Sequence, residues 1–177
     1  MQILEQRRIN EKINKTIENF FRNDQLSLIH FFDQLTKWFA VQFLKGSPDI
    51  VLIPRILELH YLENVGVAFG ALKNRQWIPI LFAMIITILF SLFYCRIPRE
   101  KRFLPLRISV IGIIAGAVGN MIDRIWHGYV IDFIYAVFID FPVFNIADCY
   151  IVISIIIMAI FMLFVYSEEE LKHIFNR

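Results

Sequence analysis

The chain has 177 residues, of which 58% are hydrophobic and 19% charged, and its mean hydropathy is +0.58. These values exclude an ordinary soluble domain, and the length suits one unit, so we predict a single integral membrane domain over residues 1–177. The net charge of +2 comes from basic residues in separate segments beside apolar runs. That distribution argues against a continuous nucleic-acid surface and for contact with membrane lipid.

Residues 1–25 are a leader of mixed charge ahead of the first apolar run. Ile9, Ile13, Ile17 and Phe20 recur at helical spacing, which predicts an amphipathic helix on the cytoplasmic lipid surface; a soluble tail is the alternative. No small-residue cleavage pattern closes the run, so we expect no cleavable signal peptide and a first helix that is retained.

Four windows are close to the length of about 20 apolar residues that a helix needs to cross a bilayer. We predict transmembrane helices at about residues 26–44, 76–95, 106–123 and 148–166. Lysines and arginines precede the first window and fill the loop 96–102 between the second and third. Because such residues favour the cytoplasmic side, both termini are predicted inside, and segments 45–75 and 124–147 outside.

The first window carries Asp33 and Lys37 on one helix face, an acid four residues before a base. We expect the pair to neutralise itself and to support the structure. Residues 50–62 then combine β-branched residues, a proline and partial alternation, which predicts short extended segments in a small outer-face sheet. Asn64 and Gly66 follow, in a motif typical of a tight turn or, alternatively, of a substrate-facing loop.

The third window is predicted to pack closely against another helix through small residues, because Gly112, Gly116 and Gly119 let backbones approach. At its end, three polar residues fall at spacings of three and four and therefore share a surface; they are Asn120, Asp123 and Arg124. The fourth window opens with Asn145 and Asp148, either of which suits a helix N-cap.

Two carboxylates lie at the boundary between these last apolar windows, Asp132 and Asp148. Acids near lipid are costly and are usually retained for a function. Folding that brings the two together beside water predicts an aspartyl hydrolase embedded in a membrane. The four histidines show no ligand spacing, so we expect no metal and no other cofactor; they are His30, His60, His127 and His173.

Four segments in order match one family. They are Asp33-Gln34-Leu35-Thr36-Lys37, Asn64-x-Gly66-x-Ala68-Phe69, Gly119-Asn120-x-x-Asp123-Arg124-x-x-x-Gly128-x-Val130-x-Asp132-Phe133, and Phe144-Asn145-x-Ala147-Asp148. The chain resembles the lipoprotein signal peptidases, the type II signal peptidases of bacteria, over about residues 28–166. The resemblance implies four helices with both ends inside, a small outer-face β cradle and a mobile loop, in the bacterial cytoplasmic (inner) membrane.

The resemblance also implies residue roles. Asp132 and Asp148 match the family's catalytic pair. The implied substrate-binding residues are Asn64, Asn120, Arg124 and Asn145. The implied supporting residues are Asp33, Lys37, Gly66 and Asp123. The chain departs from the family pattern in its longer leader and at Val67 and Gly70, where small or hydroxyl residues are common.

The implied substrate is a diacylglyceryl-modified prolipoprotein, cut just before its lipidated cysteine by an enzyme expected to be a monomer. Two close carboxylates hydrolyse a peptide by sharing one proton, one acting as base and the other as acid. The helix dipole at Asp148 favours its charge, so Asp132 is the expected acid.

Three other classes are less favoured. An ion-coupled transporter would also carry intramembrane acids, but the chain shows no internal repeat. An assembly factor would use the polar cluster and the glycines only to join helices. A thiol enzyme built on Cys149 lacks an adjacent histidine, and the predicted topology keeps Cys149 too far from Cys95 for a disulfide.

Overall fold

The fold joins a group of long helices to a small sheet. The computed structural model describes residue 5, residues 27–66 and residues 77–176; the leader, apart from that one residue, and positions Val67 and Gly70 lie outside them. Helix α1 covers 27–43 of the described residues. The strands are β1 (Ile50–Ile53), β2 (Leu57–Asn64) and β3 (Val130–Ala136). The other helices are α2 (Trp77–Arg96), α3 (Leu104–Trp126), α4 (Ile146–Ile160) and α5 (Glu168–Phe175).

Three helices in the described part of the chain are long and apolar enough to cross a membrane. These spans are Trp77–Arg96, Lys101–Trp126 and Ile146–Val165, close to the predicted windows 76–95, 106–123 and 148–166. A 3-10 turn extends α3 at its start, and a π turn, Phe161–Val165, extends α4 at its end. The remaining predicted window, residues 26–44, overlaps α1, whose 17 described residues from 27 to 43 are helical.

The sheet has three antiparallel strands in the order β1-β2-β3. The extended segments predicted within residues 50–62 are therefore present, and β3 adds a strand that the sequence pattern did not indicate. The end of α1 packs on this sheet through Ala40 and Leu44, which lie against the buried Ile131 and Phe133. This contact fixes the position of α1 relative to β3.

Helix α3 lies in the interior, with two thirds of its most apolar window buried, whereas α2 has none of its window buried. The predicted close packing of α3 is confirmed. A Cβ atom placed on Gly116 would lie 2.5 Å from the main-chain oxygen of Ala147 and 2.6 Å from a side-chain carbon of Ile151, and one on Gly112 would meet the side chain of Ser154. These glycines let α4 approach the α3 backbone.

The end of the bundle away from the sheet has its own apolar cluster, which the sequence analysis did not predict. Phe103 of the turn before α3 and Leu106 of α3 pack there with Tyr166 and with Ile174 of α5. Helix α5 starts with a capping box in which Ser167 and Glu170 bond each other's main-chain amides, at 3.2 and 2.8 Å. A short C-terminal helix thus closes the core.

We expect Gly116→Ala to lower the stability of the folded protein by about 1–3 kcal/mol, because the added methyl group meets backbone that cannot rotate away. Gly112→Ala serves as the matched control, since the side chain it meets can turn aside. Thermal unfolding in one detergent measures both. An equal loss in the two variants would contradict this account of α3–α4 packing.

Candidate active site

The first turn of α4 is built by Asn145 and Asp148. The Asp148 main-chain amide donates to Asn145 Oδ1 at 3.1 Å, and the Asn145 main-chain amide donates to Asp148 Oδ2 at 3.1 Å. This reciprocal pair is a capping box, which satisfies amide groups that the first turn of a helix leaves without intrahelical acceptors. Both residues predicted as alternative caps therefore act together, and Asp148 is held at the helix end.

Strand β3 carries Asp132 beside this turn. Phe144, the residue before Asn145, pairs with Ile134: its amide donates to the Ile134 oxygen at 3.0 Å, and its oxygen accepts from the Ile134 amide at 2.8 Å. The start of α4 is thereby attached to β3. Asp132 is 2% exposed, and Asn145 Nδ2 donates to its Oδ1 at 2.7 Å.

The end of strand β2 supplies a second donor to Asp132. Asn64 Nδ2 donates to Asp132 Oδ2 at 2.7 Å, while Asn64 Oδ1 accepts from the Gly66 amide at 3.0 Å. Gly66 has a φ of +123°, a backbone conformation that favours glycine. The predicted turn therefore exists, and it aims the Asn64 amide group at Asp132.

Asn120 on α3 connects the two carboxylate groups. Its Nδ2 donates to Asp148 Oδ1 at 2.8 Å, and its Oδ1 accepts from Asn145 Nδ2 at 3.1 Å. Since Asn145 Nδ2 also donates to Asp132, a chain of amides runs from Asp148 through Asn120 and Asn145 to Asp132. Four elements, β2, α3, β3 and α4, meet at this point.

Lys37 on α1 holds the Asn120 end of this chain of amides. Its Nζ donates to Asp33 Oδ2 at 2.8 Å, to Asp123 Oδ2 at 2.6 Å and to Asn120 Oδ1 at 3.1 Å. Lys37 is 1% exposed. Burying an ammonium group is costly unless it is paired and hydrogen-bonded, and three acceptors meet that need. The predicted Asp33–Lys37 pair is thus part of a larger cluster that joins α1 to α3.

The orientation of each asparagine follows from these contacts. An ammonium group has only donors, so Lys37 requires the oxygen of Asn120 to face it, and the Asn120 NH2 group then faces Asp148. Main-chain amides impose the same logic on Asn145 and Asn64, whose oxygens accept from Asp148 and Gly66. All three NH2 groups therefore point at carboxylate oxygens.

Arg124 lies on α3 one turn beyond Asn120. Its Nη1 donates to the main-chain oxygen of Asn120 at 3.1 Å. Its Nε is buried and has no hydrogen-bond partner among the residues that the structure describes. Its positive charge interacts with both Asp132 and Asp148, so a donor and a cation border the two carboxylates.

The pKa of Asp132 is raised to about 6, and burial is the largest cause. The negative charge of Asp148 also contributes to the rise, while the hydrogen bonds from Asn64 and Asn145 and the charge of Lys37 oppose it. Loss of solvation is the largest of these effects, which is the expected behaviour of a carboxyl group removed from water. A carboxyl group with this pKa keeps its proton in slightly acidic solution.

All ten residues selected from the sequence lie around Asp132 and Asp148 or in the cluster that Lys37 forms with Asp33 and Asp123, which we call the lysine cluster. Two neighbours were missed. Gln34 donates to Asp123 Oδ1 at 2.9 Å and so belongs to the lysine cluster. Leu62, 38% exposed, pairs with Asp132 across β2 and β3 and lies on the same sheet face. Gln34 stands inside the quoted Asp33-to-Lys37 motif, whereas the place of Leu62 depends on strand register.

Comparison with known proteins identifies the family. A family model described as signal peptidase (SPase) II matches residues 26–164. The chain belongs to the signal peptidase II family. It is therefore a peptidase of lipoprotein processing, and the apolar helices agree with the membrane location of this family.

Relatives of this signal peptidase II chain cover most of its length. The lipoprotein signal peptidase of Clostridium tetani is 41% identical over 143 residues, which are 79% of this chain and 90% of that protein. The one from Clostridioides difficile is 39% identical over 78% and 91% of the two chains. A bacterial membrane enzyme solved by the in meso method at 1.9 Å resolution aligns with a TM-score of 0.69 at 31% identity, covering 80% and 91%.

We expect Asp148→Asn to lower the pKa of Asp132, because it removes a negative charge that opposes ionisation of Asp132. Carbon-13 NMR of labelled aspartate carboxyl groups measures this pKa in the wild type, near 6, and in the variant. Asp140→Asn is the control, since it removes an exposed carboxylate from the loop after β3 and should leave the pKa unchanged. A pKa that stays constant or rises in Asp148→Asn would contradict the described coupling.

Proposed function

We propose that the chain is an intramembrane aspartyl endopeptidase in which Asp132 and Asp148 form the catalytic pair. It removes the signal peptide from diacylglyceryl-modified prolipoproteins and cuts before the lipidated cysteine. The observation that supports this most directly is the chain of amides that holds the two carboxylates beside each other, with Asn120 on Asp148 and Asn145 on Asp132. Family membership supplies the reaction class, and this geometry supports the choice of residues.

The proposed reaction uses the two carboxyl groups in different protonation states. Asp148, at the positive end of the α4 dipole, is the ionised base. It takes a proton from water as the water oxygen attacks the carbonyl carbon of the scissile peptide. Asp132, whose pKa is raised, is the neutral acid. It donates a hydrogen bond to the carbonyl oxygen and then passes its proton to the leaving nitrogen as the C–N bond of the tetrahedral intermediate breaks. The proton that Asp148 took from water remains on the pair, which again holds one shared proton.

The lysine cluster positions these groups without touching the substrate. Lys37 holds Asn120 in the orientation in which its NH2 group donates to Asp148. Asp33 and Asp123 balance the charge of Lys37. The proposed supporting role of these three residues is therefore to fix the direction of one amide.

Substrate contacts are proposed for the polar groups that border the pair. Arg124 carries the strongest indication, because its Nε is a buried donor without a partner in the described structure, and a peptide carbonyl oxygen would satisfy it. Asn64, Asn120 and Asn145 direct their NH2 groups at the carboxylates. They therefore also limit where a scissile peptide can lie.

The membrane arrangement proposed from the charge pattern has four crossing helices in one domain, with α1 as the first. Both termini and the loop between α2 and α3 face the cytoplasm, and the active site faces the outer side of the bacterial inner membrane. In this arrangement acyl chains of the substrate stay in the hydrocarbon while the peptide reaches a polar site. The leader lies on the cytoplasmic surface, and the enzyme acts as a monomer without a cofactor.

Asp132→Asn and Asp148→Asn should each reduce peptide cleavage by at least about 100-fold, because each removes one partner of the acid–base pair. The assay is cleavage of a lipobox peptide with a diacylglyceryl cysteine by purified protein in one detergent, with mass spectrometry of the product. Thermal unfolding in the same detergent verifies that each variant folds.

The same peptide without the lipid is the substrate control, and we expect cleavage to depend on the diacylglyceryl group. Asp140→Asn is the protein control and should cleave at the wild-type rate, since Asp140 lies in an exposed turn. Retained cleavage by either active-site variant would refute the catalytic pair. No cleavage by folded wild-type protein would refute the proposed substrate.

Cys95 provides a test of the membrane arrangement. It is exposed at the end of α2, so in a Cys149→Ser background a membrane-impermeant maleimide should label it in inverted vesicles and not in intact cells. A Ser47→Cys variant that also lacks both native cysteines is the matched control, because Ser47 is exposed between α1 and β1. It should show the reverse pattern, and the same sidedness for both positions would refute the arrangement.

A further inference from the structure

The C-terminal end of α2 borders a cavity that the proposed reaction does not use. The cavity has a volume of about 630 Å³ and is lined by Leu92, Cys95, Arg96, Ile97 and Arg99. Two guanidinium groups and two aliphatic side chains thus line one space. The cavity lies where a membrane-crossing helix ends, at the depth of lipid head groups.

Other basic residues of this region are held by protein acceptors. Arg102 donates to Glu170 at 3.0 Å and to the Val165 main-chain oxygen at 2.7 Å. Arg107 donates to the Tyr94 hydroxyl at 2.9 Å. These contacts tie α2, α3 and α5 together, so neither guanidinium group is available to a ligand without the loss of packing.

Arg96 differs from both. It lines the cavity, and it makes no hydrogen bond or ion pair with any residue that the structure describes. As the last residue of α2 it lies near the negative end of the helix dipole. That interaction uses none of the five N–H donors of the guanidinium group, and no side chain or main-chain oxygen of the described residues accepts from them. A phosphate group accepts two parallel hydrogen bonds from such a fork.

The wall beside Arg96 is apolar and continuous with the lipid-facing side of α2. Leu92 is 60% exposed, and so to a similar degree are Ile88 and Leu89 one turn earlier. A ligand in the cavity therefore meets arginine at one end and a hydrocarbon-facing surface at the other. Free phosphate would use only the first feature, whereas a phospholipid uses both.

We propose that this cavity binds an anionic phospholipid, with the head-group phosphate on Arg96 and an acyl chain along Leu92. The site is separate from the peptidase site. Sixteen residues of α3 separate Leu104 from Asn120, which at 1.5 Å per residue is about 24 Å along the helix. The bound lipid stabilises the contact between α2 and the α5 end of the bundle and takes no part in the chemistry.

The test is lipid binding to the full-length protein in detergent, measured by native mass spectrometry and by the thermal shift on adding lipid. Dilauroyl phosphatidylglycerol is the anionic lipid, dilauroyl phosphatidylcholine is the zwitterionic lipid, and glycerol 3-phosphate is the soluble phosphate. We expect binding and stabilisation by phosphatidylglycerol, at least about tenfold tighter than by phosphatidylcholine, and none by glycerol 3-phosphate.

Arg96→Gln and Lys101→Gln form the matched pair of variants. Each removes one positive charge from the same exposed segment, but Lys101 does not line the cavity. We expect Arg96→Gln to weaken phosphatidylglycerol binding by about tenfold and Lys101→Gln by less than about twofold, with peptide cleavage unchanged in both. Arg96→Lys keeps the charge without the planar fork, and it should bind less tightly than the wild type.

Three outcomes would overturn the proposal. Equal weakening by Arg96→Gln and Lys101→Gln would show attraction by overall charge with no site. Binding of glycerol 3-phosphate as tight as that of phosphatidylglycerol would identify a soluble phosphate ligand. Unchanged lipid binding in Arg96→Lys together with Arg96→Gln would place the lipid elsewhere. Thermal unfolding without added lipid shows whether a variant has a folding defect. If Arg96→Gln has one, Arg96→Lys is the test, and binding as tight as that of the wild type would contradict the proposal.

Discussion

The buried ammonium group of Lys37 is the interaction on which the rest of the site depends. It joins α1 to α3 through Asp33, Asp123 and Asn120, and removing one member of a buried ion pair typically costs about 3–5 kcal/mol. A hydrophobic contact of equal strength would hold the helices together as well. A donor such as the Lys37 ammonium group, however, also requires the Asn120 oxygen to face it, and so the lysine sets the direction of the hydrogen bond from Asn120 to Asp148.

The groups that cap α4 are also groups of the proposed active site. Asp148 accepts from the Asn145 amide as half of a capping box, and with its other oxygen it accepts from Asn120. Asn145 caps the helix with its oxygen and donates to Asp132 with its nitrogen. Local helix chemistry therefore fixes the orientation of both side chains at the proposed active site.

The sequence indicated the long apolar helices, and which residues would lie together, better than it indicated the contacts between them. Apolar length alone located α2, predicted at 76–95 and found at Trp77–Arg96, because crossing a bilayer imposes a fixed length. The position of Leu62 beside Asp132 depends on strand register, and the contacts of Lys37 with α3 depend on tertiary packing. Neither produces a periodic pattern in the sequence. Helix α5 was missed because its apolar face is only two turns long, and it becomes recognisable through the cluster it covers.

The three asparagine NH2 groups have a consequence for the chemistry of ligands. Each is locked with its hydrogens toward a carboxylate oxygen, so the surroundings of Asp132 and Asp148 already supply donors from the protein side. A carboxylate or phosphate group entering between the two acids would meet negative charge. An ether oxygen accepts hydrogen bonds but donates none, so it would satisfy only the protonated acid of the pair. A hydroxyl group both accepts and donates, so in the proposed mechanism an inhibitor should carry a secondary alcohol at the position of the attacking water.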